Sequence, residues 1–435
     1  TEVEYRQLRL ERVVLVGVWT DGTAADAENS LAELAALAET AGSQVLDVLV
    51  QRRRRPDPAT YVGSGKVDEL RDAVLASGAD TVICDGELAP AQLRTLEDRV
   101  KVKVVDRTAL ILDIFAQHAK SKEGKTQVEL AQLQYMTQRL RGWGGELSRQ
   151  AGGRVAGGGG IGGRGPGETK LETDRRRIGA RMAKLRRELD HMRTARDTKR
   201  ANRVRHDVPA VAIAGYTNAG KSSLLNRLTD AGVLVEDALF ATLDPTVRRA
   251  VTPDGRVYTL ADTVGFVRHL PHQLVEAFRS TLEEVTDSDL VLHVVDGADR
   301  DPEGQIQAVR EVLAEIGASE APELIVVNKI DQADPHTVTR LLRRETGAVA
   351  VSARTGEGMD GLRLALEQAL PRPEFEVDVL IPYDRGDLVS RVFEQGDVLS
   401  VQHTGEGTRV HARVDADLRT ALGDEDPTIG GPDYQ

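Results

Sequence analysis

Cysteine is nearly absent from this chain. One residue in 435, Cys84, carries a thiol, so no internal disulfide can staple the fold. Its setting, TVICDG, reads as a buried strand, where a free thiol behaves as a small apolar group. No window comes near 18 consecutive apolar residues, which excludes a transmembrane helix and stable membrane insertion. The opening stretch TEVEYRQLRLERVV is charged and lacks an apolar signal core; it also lacks a methionine, so native residues are expected upstream. Aromatic residues are scarce at 3%, beside 40% apolar and 29% charged residues. That is the composition of a soluble globular protein, and the cytoplasm is the expected compartment. The chain is too long for one ordinary core, so two to four domains are expected.

Charge is plentiful but segregated. The net charge is −12, yet residues 116–206 hold 22 Lys and Arg against 9 Asp and Glu, while the rest holds 35 against 60. A basic segment inside an acidic protein is an electrostatic footprint for nucleic acid. On charge alone, a solvated, Arg-rich helical face is the simpler reading.

Residues 1–115 alternate strand patterns (RVVLVGVW, QVLDVLVQ, TVICDG, VKVVDR) with helical stretches, which predicts a small parallel sheet flanked by helices. YVGSGKVDEL there contains G-x-G-K without the spacing of a phosphate loop, and a glycine turn at a helix N-terminus explains it. From 116 to 206 the strand signal stops. KTQVELAQLQYMTQRL reads as helix, and 10 glycines among residues 152–167 read as a mobile loop. Leu171, Ile178, Met182, Leu185, Leu189 and Met192 then form a coiled-coil seam on an Arg-rich helix. The two helices form an antiparallel hairpin whose tip carries Arg154, Arg164 and Lys170, with Arg175, Arg176 and Arg177 just behind. The glycine loop suits either moulding to RNA or a disordered connection. Residues 207–371 again alternate strand and helix, with an Asp-Gly hairpin signal in TPDGR. Residues 372–422 suggest a β-α-β-β module, and 423–435 a disordered tail. The fold class is α/β: a P-loop domain preceded by a parallel α/β domain and a helical hairpin, and followed by a small α+β domain.

The chemistry sits in the third segment. GYTNAGKS follows the strand PAVAIAG and matches G-x-x-x-x-G-K-[ST], so Gly215, Tyr216, Thr217, Asn218, Ala219, Gly220, Lys221, Ser222 and Ser223 form a candidate phosphate loop. Backbone N–H groups would close around the phosphates, Lys221 would neutralise them and Ser222 would ligate Mg²⁺. NKID ends another strand. Asp331 can accept from guanine N1–H and N2–H₂, a donor pair that adenine lacks. Asn328, Lys329 and Ile330 complete that loop, and Ser352, Ala353 and Arg354 end the next strand, with the Ala353 N–H aimed at guanine O6. FATLDPT stands where a first switch belongs: Phe240, Ala241, Thr242, Leu243 and Asp244 are candidate contacts. Thr242 is the candidate Mg²⁺ hydroxyl and Thr246 its alternative. In ADTVGF, Asp262 would hold Mg²⁺ through water, Thr263 and Val264 follow, and the Gly265 N–H would sense the γ-phosphate. GTP and GDP are the implied ligands.

One residue type is missing where it would be most useful. Ras-type GTPases follow this glycine with a glutamine that orients the attacking water. Here Phe266 stands there, with no hydrogen-bonding group, so no catalytic group in cis is identified and hydrolysis by the free protein should be slow. His269 is the first residue to mutate should it prove fast. Asn218 has two open readings, a loop-stabilising side chain or a residue that holds K⁺ against the phosphates.

YVGSGKVDEL, KTQVELAQLQY, RGPGETKLETDRR, GYTNAGKSSLLN, LFATLDPTVRR, DTVGFVRHLP and NKID together resemble the HflX family of ribosome-associated GTPases, over nearly the full chain. The resemblance implies a cytoplasmic factor, monomeric off the ribosome, that binds the large ribosomal subunit and its rRNA and in its GTP form separates stalled or idle ribosomes. It also implies that the hairpin and its loop approach the peptidyl-transferase region. The family passes directly from LSRQ to GGGIG, whereas AGGRVAGG adds residues here, which makes tip chemistry the least transferable part. A second hypothesis is a GTP-switched RNA-binding or assembly module in which hydrolysis only times release. A third, an ATP-dependent RNA remodeller, would rest on Gly63–Lys66.

Overall fold

Four short β-branched runs build the first sheet of the computed structural model, which describes residues 12–151, 166–205, 208–229, 239–240, 246–268, 279–318, 321–371, 375–414 and 416–423. Strands β1 (Arg12–Trp19), β2 (Gln44–Arg52), β3 (Thr81–Cys84) and β4 (Lys103–Asp106) pair in parallel, in the order β2-β1-β3-β4. They alternate with helices α1 (Ala24–Thr40), α2 (Ser64–Ser77), α3 (Pro90–Val100) and α4 (Arg107–His118). Thr23 and Asp26 form a reciprocal cap on α1, and the Asp106 carboxylate accepts from the Ala109 N–H, 2.9 Å, at the start of α4. The central strands are buried on both faces, as parallel strands between helices must be. Val14, Val16, Val82 and Cys84 pack on Val67, Leu70, Val74 and Leu96. On the other face, Val13, Leu15 and Ile83 pack on α1 and α4, and this core continues into the second sheet. Cys84 is free and buried, and burial pushes its thiol well above the usual range.

Two long helices follow, α5 (Lys122–Ala151) and α6 (Pro166–Arg205). The expected seam holds them together. Leu185 is buried against Leu130 and Leu133, with Ile178, Met182 and Leu189 partly buried around them. Arg181 adds a bidentate pair to Glu129 at 2.6 and 2.7 Å. Helix α6 starts at Pro166, inside the stretch expected to be loop, because proline at a first helical position sacrifices no intrahelical bond. Residues 152–165 lie outside the described residues.

The second sheet has the order β10-β9-β8-β5-β7-β6. Its strands are β5 (Ala210–Gly215), β6 (Thr246–Val251), β7 (Val257–Asp262), β8 (Leu290–Asp296), β9 (Glu323–Asn328) and β10 (Val349–Ala350). All pairs are parallel except β6 with β7, which the TPDGR turn joins as a hairpin. Helices α7 (Lys221–Thr229), α8 (Arg279–Thr286), α9 (Pro302–Glu315), α10 (Pro335–Arg344) and α11 (Met359–Ala369) surround it. A third, antiparallel sheet, β11 (Phe375–Pro382), β13 (Gly407–Val414) and β12 (Asp397–His403) in that spatial order, packs on α12 (Gly386–Gln395) and on α13 (Ala416–Ala421) through Leu388, Val392 and Leu418. Residues 424–435 of the expected tail lie outside the described residues. No described helix is long and apolar enough to cross a membrane.

Candidate nucleotide site

Strand β5 delivers Gly215 to the edge of the core, and the chain turns through Tyr216–Gly220 before α7 begins at Lys221. The turn needs left-handed backbone: φ is +58° at Asn218, whose side chain is exposed, and +93° at Gly220. A Cβ on Gly220 would run into Asn328 Nδ2, so only glycine fits. Lys221 is buried, and its Nζ donates to the carbonyls of Gly215 (3.2 Å) and Tyr216 (2.9 Å). Burial lowers its pKa to about 8, against the opposing pull of Asp262. A buried ammonium at the positive end of a helix is a receptor for anionic oxygen. Ser223 is half-buried in α7.

Ser222 Oγ donates to Asp262 Oδ2 at 2.7 Å. Hydroxyl and carboxylate are hard oxygen donors, and among the described residues no group of three His, Cys, Asp or Glu could hold a metal. That set fits Mg²⁺, which takes one or two protein oxygens and completes its shell from phosphate and water. Thr263 Oγ1 donates to Ile213 O at 2.7 Å, and Val264 is buried. Gly265 presses on the phosphate loop: a Cβ there would stand 2.7 Å from Thr217 Cγ2 and 3.0 Å from Lys221 Nζ. Beyond it the chain pairs with the loop itself, with the Phe266 N–H donating to Gly215 O (3.1 Å) and the Thr217 N–H to Phe266 O (2.7 Å). Phe266 is 1% exposed and belongs to the core. Ala241, Thr242, Leu243, Asp244 and His269 lie outside the described residues, whereas Thr246 opens β6 opposite Asp262. Phe240 departs from the expectation of a nucleotide contact. Its ring packs edge-on against Phe115 of α4, centroids 4.6 Å apart, because an apolar ring gains more from the core than from a polar ligand.

The base-side residues converge at the ends of β9 and β10. Asn328 joins three loops: its Nδ2 donates to Ala219 O (2.8 Å) and its Oδ1 accepts from the Ala353 N–H (2.9 Å). That N–H was expected at guanine O6; here Asn328 engages it. Asp331 accepts from Ser352 Oγ (2.7 Å) and pairs with Arg354 (2.5 Å). The Ser352 bond and then Arg354 hold its carboxyl below the usual range, so it stays an acceptor. Lys329 pairs with Asp296 (2.7 Å), and Ile330 packs beside Val295 and Val327. Arg227, absent from the expectations, donates to the carbonyls of Ala353 (2.9 Å) and Arg354 (2.6 Å) and braces this loop from α7.

The larger surprise lies between the first and second sheets. The hydroxyl of Tyr216, in the candidate phosphate loop, turns to the first domain: it donates to Glu33 of α1 and accepts from the Arg268 N–H at 2.5 Å. Arg107, 3% exposed, bonds Glu33, Asp85 (2.7 Å) and the carbonyl of Arg268 (3.0 Å). Arg268 in turn pairs with Asp301. Burial pushes the Glu33 carboxyl up, and Arg107 opposes the rise. None of these partners shares a motif, and only their sequence separation concealed them.

Arg175, Arg176 and Arg177 stand exposed on α6. Lys170 belongs to the same helix, its side chain outside the described residues, as are Arg154 and Arg164. In YVGSGKVDEL, Gly63 caps α2 with its N–H on Gln51 (2.7 Å) and Lys66 pairs with Glu69 (2.5 Å), an ordinary helix start.

Three family models match the chain in series. They are described as GTP-binding GTPase N-terminal over residues 28–116, GTP-binding GTPase Middle Region over 118–203, and 50S ribosome-binding GTPase over 210–329. "GTPase HflX" of Lacrimispora saccharolytica is 46% identical over 422 residues, 97% of each chain. "GTPase HflX" of Escherichia coli is 46% identical over 367 residues, 84% of each chain. Among solved structures, a GTP-binding protein from Sulfolobus solfataricus in complex with GDP is 26% identical, covering 82% of this chain and 98% of its own, with a TM-score of 0.41. With 46% identity sustained over nearly its whole length, this chain is a GTPase and belongs to the HflX family.

Proposed function

We propose that the protein, in its GTP form, binds the large ribosomal subunit through the α5–α6 hairpin and separates stalled or idle ribosomes, with hydrolysis stimulated by the ribosome. The observation that carries this reading is the exposed arginine row 175–177 on a hairpin that belongs to neither sheet, in an otherwise acidic chain. Such a surface suits the phosphate backbone of rRNA. The relatives' name and the description of the third family model support the same partner.

At the nucleotide, the phosphates would take Lys221 and the N-terminus of α7, and guanine would displace Arg354 from Asp331. Mg²⁺, when bound by Ser222 and through water by Asp262, supplies neutralising charge to the phosphate oxygens. Gly265 would report the γ-phosphate to Phe266, Val267 and Arg268. Phe266 offers the attacking water nothing, so the free protein should turn over slowly. An activating contact in trans raises Ras hydrolysis about 10⁵-fold, and the ribosome is the proposed source here.

Purified ribosomes would be run on sucrose gradients with the protein and GTP or a non-hydrolysable analogue. Both nucleotides should convert intact ribosomes to free subunits, with the protein on the large one. Subunits that stay joined while the protein binds and GTP hydrolysis accelerates would favour a GTP-timed binding or assembly module instead.

A further inference from the structure

Three hydroxyls around the phosphate loop are committed. Tyr216 donates to Glu33, Ser222 to Asp262 and Thr263 to Ile213 O. Thr217 differs. The residue is 6% exposed, and its Oγ1 is buried without a hydrogen-bond partner. A valine would fill the same volume without burying an unsatisfied hydroxyl, so packing alone gives no reason for threonine here. Its position does. Thr217 Cγ2 and Cα stand 2.7 and 2.9 Å from where a Cβ on Gly265 would lie, and Lys221 Nζ stands 3.0 Å from the same point. The branch of Thr217 therefore shares one small space with the γ-phosphate sensor and the phosphate lysine. A χ1 turn of about 120° between staggered wells puts the hydroxyl where the methyl now stands, on the Gly265 side, and moves the methyl to the place of the Cβ hydrogen.

Resting on the nucleotide-site reading above, we propose that the Thr217 hydroxyl positions the attacking water at the γ-phosphate, in place of the group that Phe266 lacks. Oγ1 accepts one O–H of the water and so turns a lone pair of its oxygen toward phosphorus. The water oxygen bonds to the γ-phosphorus as the bond from phosphorus to the β–γ bridging oxygen breaks. The water's proton passes to a γ-phosphate oxygen, and GDP and inorganic phosphate leave. One hydroxyl gives a slow basal rate, and the switch segment that packs on it gives the ribosome a place to improve its aim.

Single-turnover hydrolysis of bound GTP by the full chain tests this, with GTP and GDP affinities measured alongside. Thr217→Val should bind both nucleotides within about threefold of the native chain and hydrolyse GTP about 10²-fold more slowly, the loss expected for one positioned polar group. Thr217→Ser should restore most of the rate. Native-like hydrolysis by the valine variant overturns the proposal, as does a serine variant no faster than valine, which would make the methyl the working part. Should valine fail to fold, Thr217→Ser and Thr217→Ala both lack the methyl and differ only in the hydroxyl; equal rates for that pair overturn it. Lys221→Ala separates the two levels. Unchanged GDP affinity in that variant removes the site reading itself, whereas lost affinity together with a fast valine variant removes only the role of Thr217.

Discussion

Asp331 is the residue proposed to select guanine. Ser352 and Arg354 occupy its oxygens, and the exposed Arg354 can swing away when guanine arrives. Asp331→Asn replaces two acceptors by one acceptor and a donor, which opposes the guanine N–H groups and suits the carbonyl of xanthine. GTP affinity should fall about a hundredfold or more, and xanthosine triphosphate should compete where it did not before. Unchanged GTP binding in a competition assay would remove the assignment. Lys221 carries a pH signature. It is protonated up to 10.5 in an unfolded chain and only to about 8 when folded and free. Between those values the folded protein binds fewer protons, so this lysine costs stability below pH 8, and the cost is lifted as pH rises toward 10.5. Bound phosphate favours the ammonium. GDP affinity should therefore decline as pH rises above about 8, with proton uptake on binding, seen as a buffer-dependent heat in titration calorimetry. Binding without proton uptake in that range would place the phosphates away from Lys221.

At the scale of elements, the hairpin divides its labour by face. Leu130, Leu133 and Leu185 close the seam, and Arg181 is spent on Glu129. Arg175, Arg176 and Arg177 lie one to two turns back along α6 and stay exposed. Replacing the three with glutamine should leave GDP affinity and thermal stability near native. Large-subunit binding should weaken, and the slope of log affinity against log salt should become shallower by about 0.7–0.9 for each phosphate no longer neutralised. Equal losses of nucleotide and ribosome binding would mean that this face packs on the nucleotide-binding part of the chain. Strand β7 illustrates the same economy. It carries Asp262 to the site, and the backbone beyond it, at Phe266, folds onto the phosphate loop. A movement of Gly265, the proposed γ-phosphate sensor, would therefore move the loop's own pairing partner.

At the scale of the molecule, the decisive feature is that the first sheet and the nucleotide site are one packed body. A continuous core runs from Leu34 and Ile111 to Ile213 and Val294, and Arg107 ties its polar edge to Tyr216 and Arg268 through Glu33 and through the Arg268 carbonyl. Arg107→Met would leave Glu33 and Asp85, 11% and 10% exposed, without their cation. The expected loss is about 3–5 kcal/mol, as for any buried pair stripped of one partner. It should be largest at neutral pH and shrink in acid as Glu33, already raised by burial, takes up a proton. Thermal melts at two pH values check both the size and the sign. GDP affinity should change as well, because Tyr216 loses the partner that holds Glu33 in place; an unaltered affinity would make the link between them purely structural.

The nucleotide motifs, the alternation of strands and helices and the seam of the hairpin were legible in the sequence because each is a local pattern. A strand shows its period and a phosphate loop its glycines, and Leu185 announces its face by its spacing from Ile178 and Met182. Four things were decided only in three dimensions. Phe240 went to Phe115, Ala353 gave its N–H to Asn328, Tyr216 turned its hydroxyl to Glu33, and Thr217 kept a buried hydroxyl without a partner. Each depends on which groups meet across as many as 183 residues of chain, or on what fails to meet. Periodicity determines which face of an element is buried; only packing determines what it is buried against.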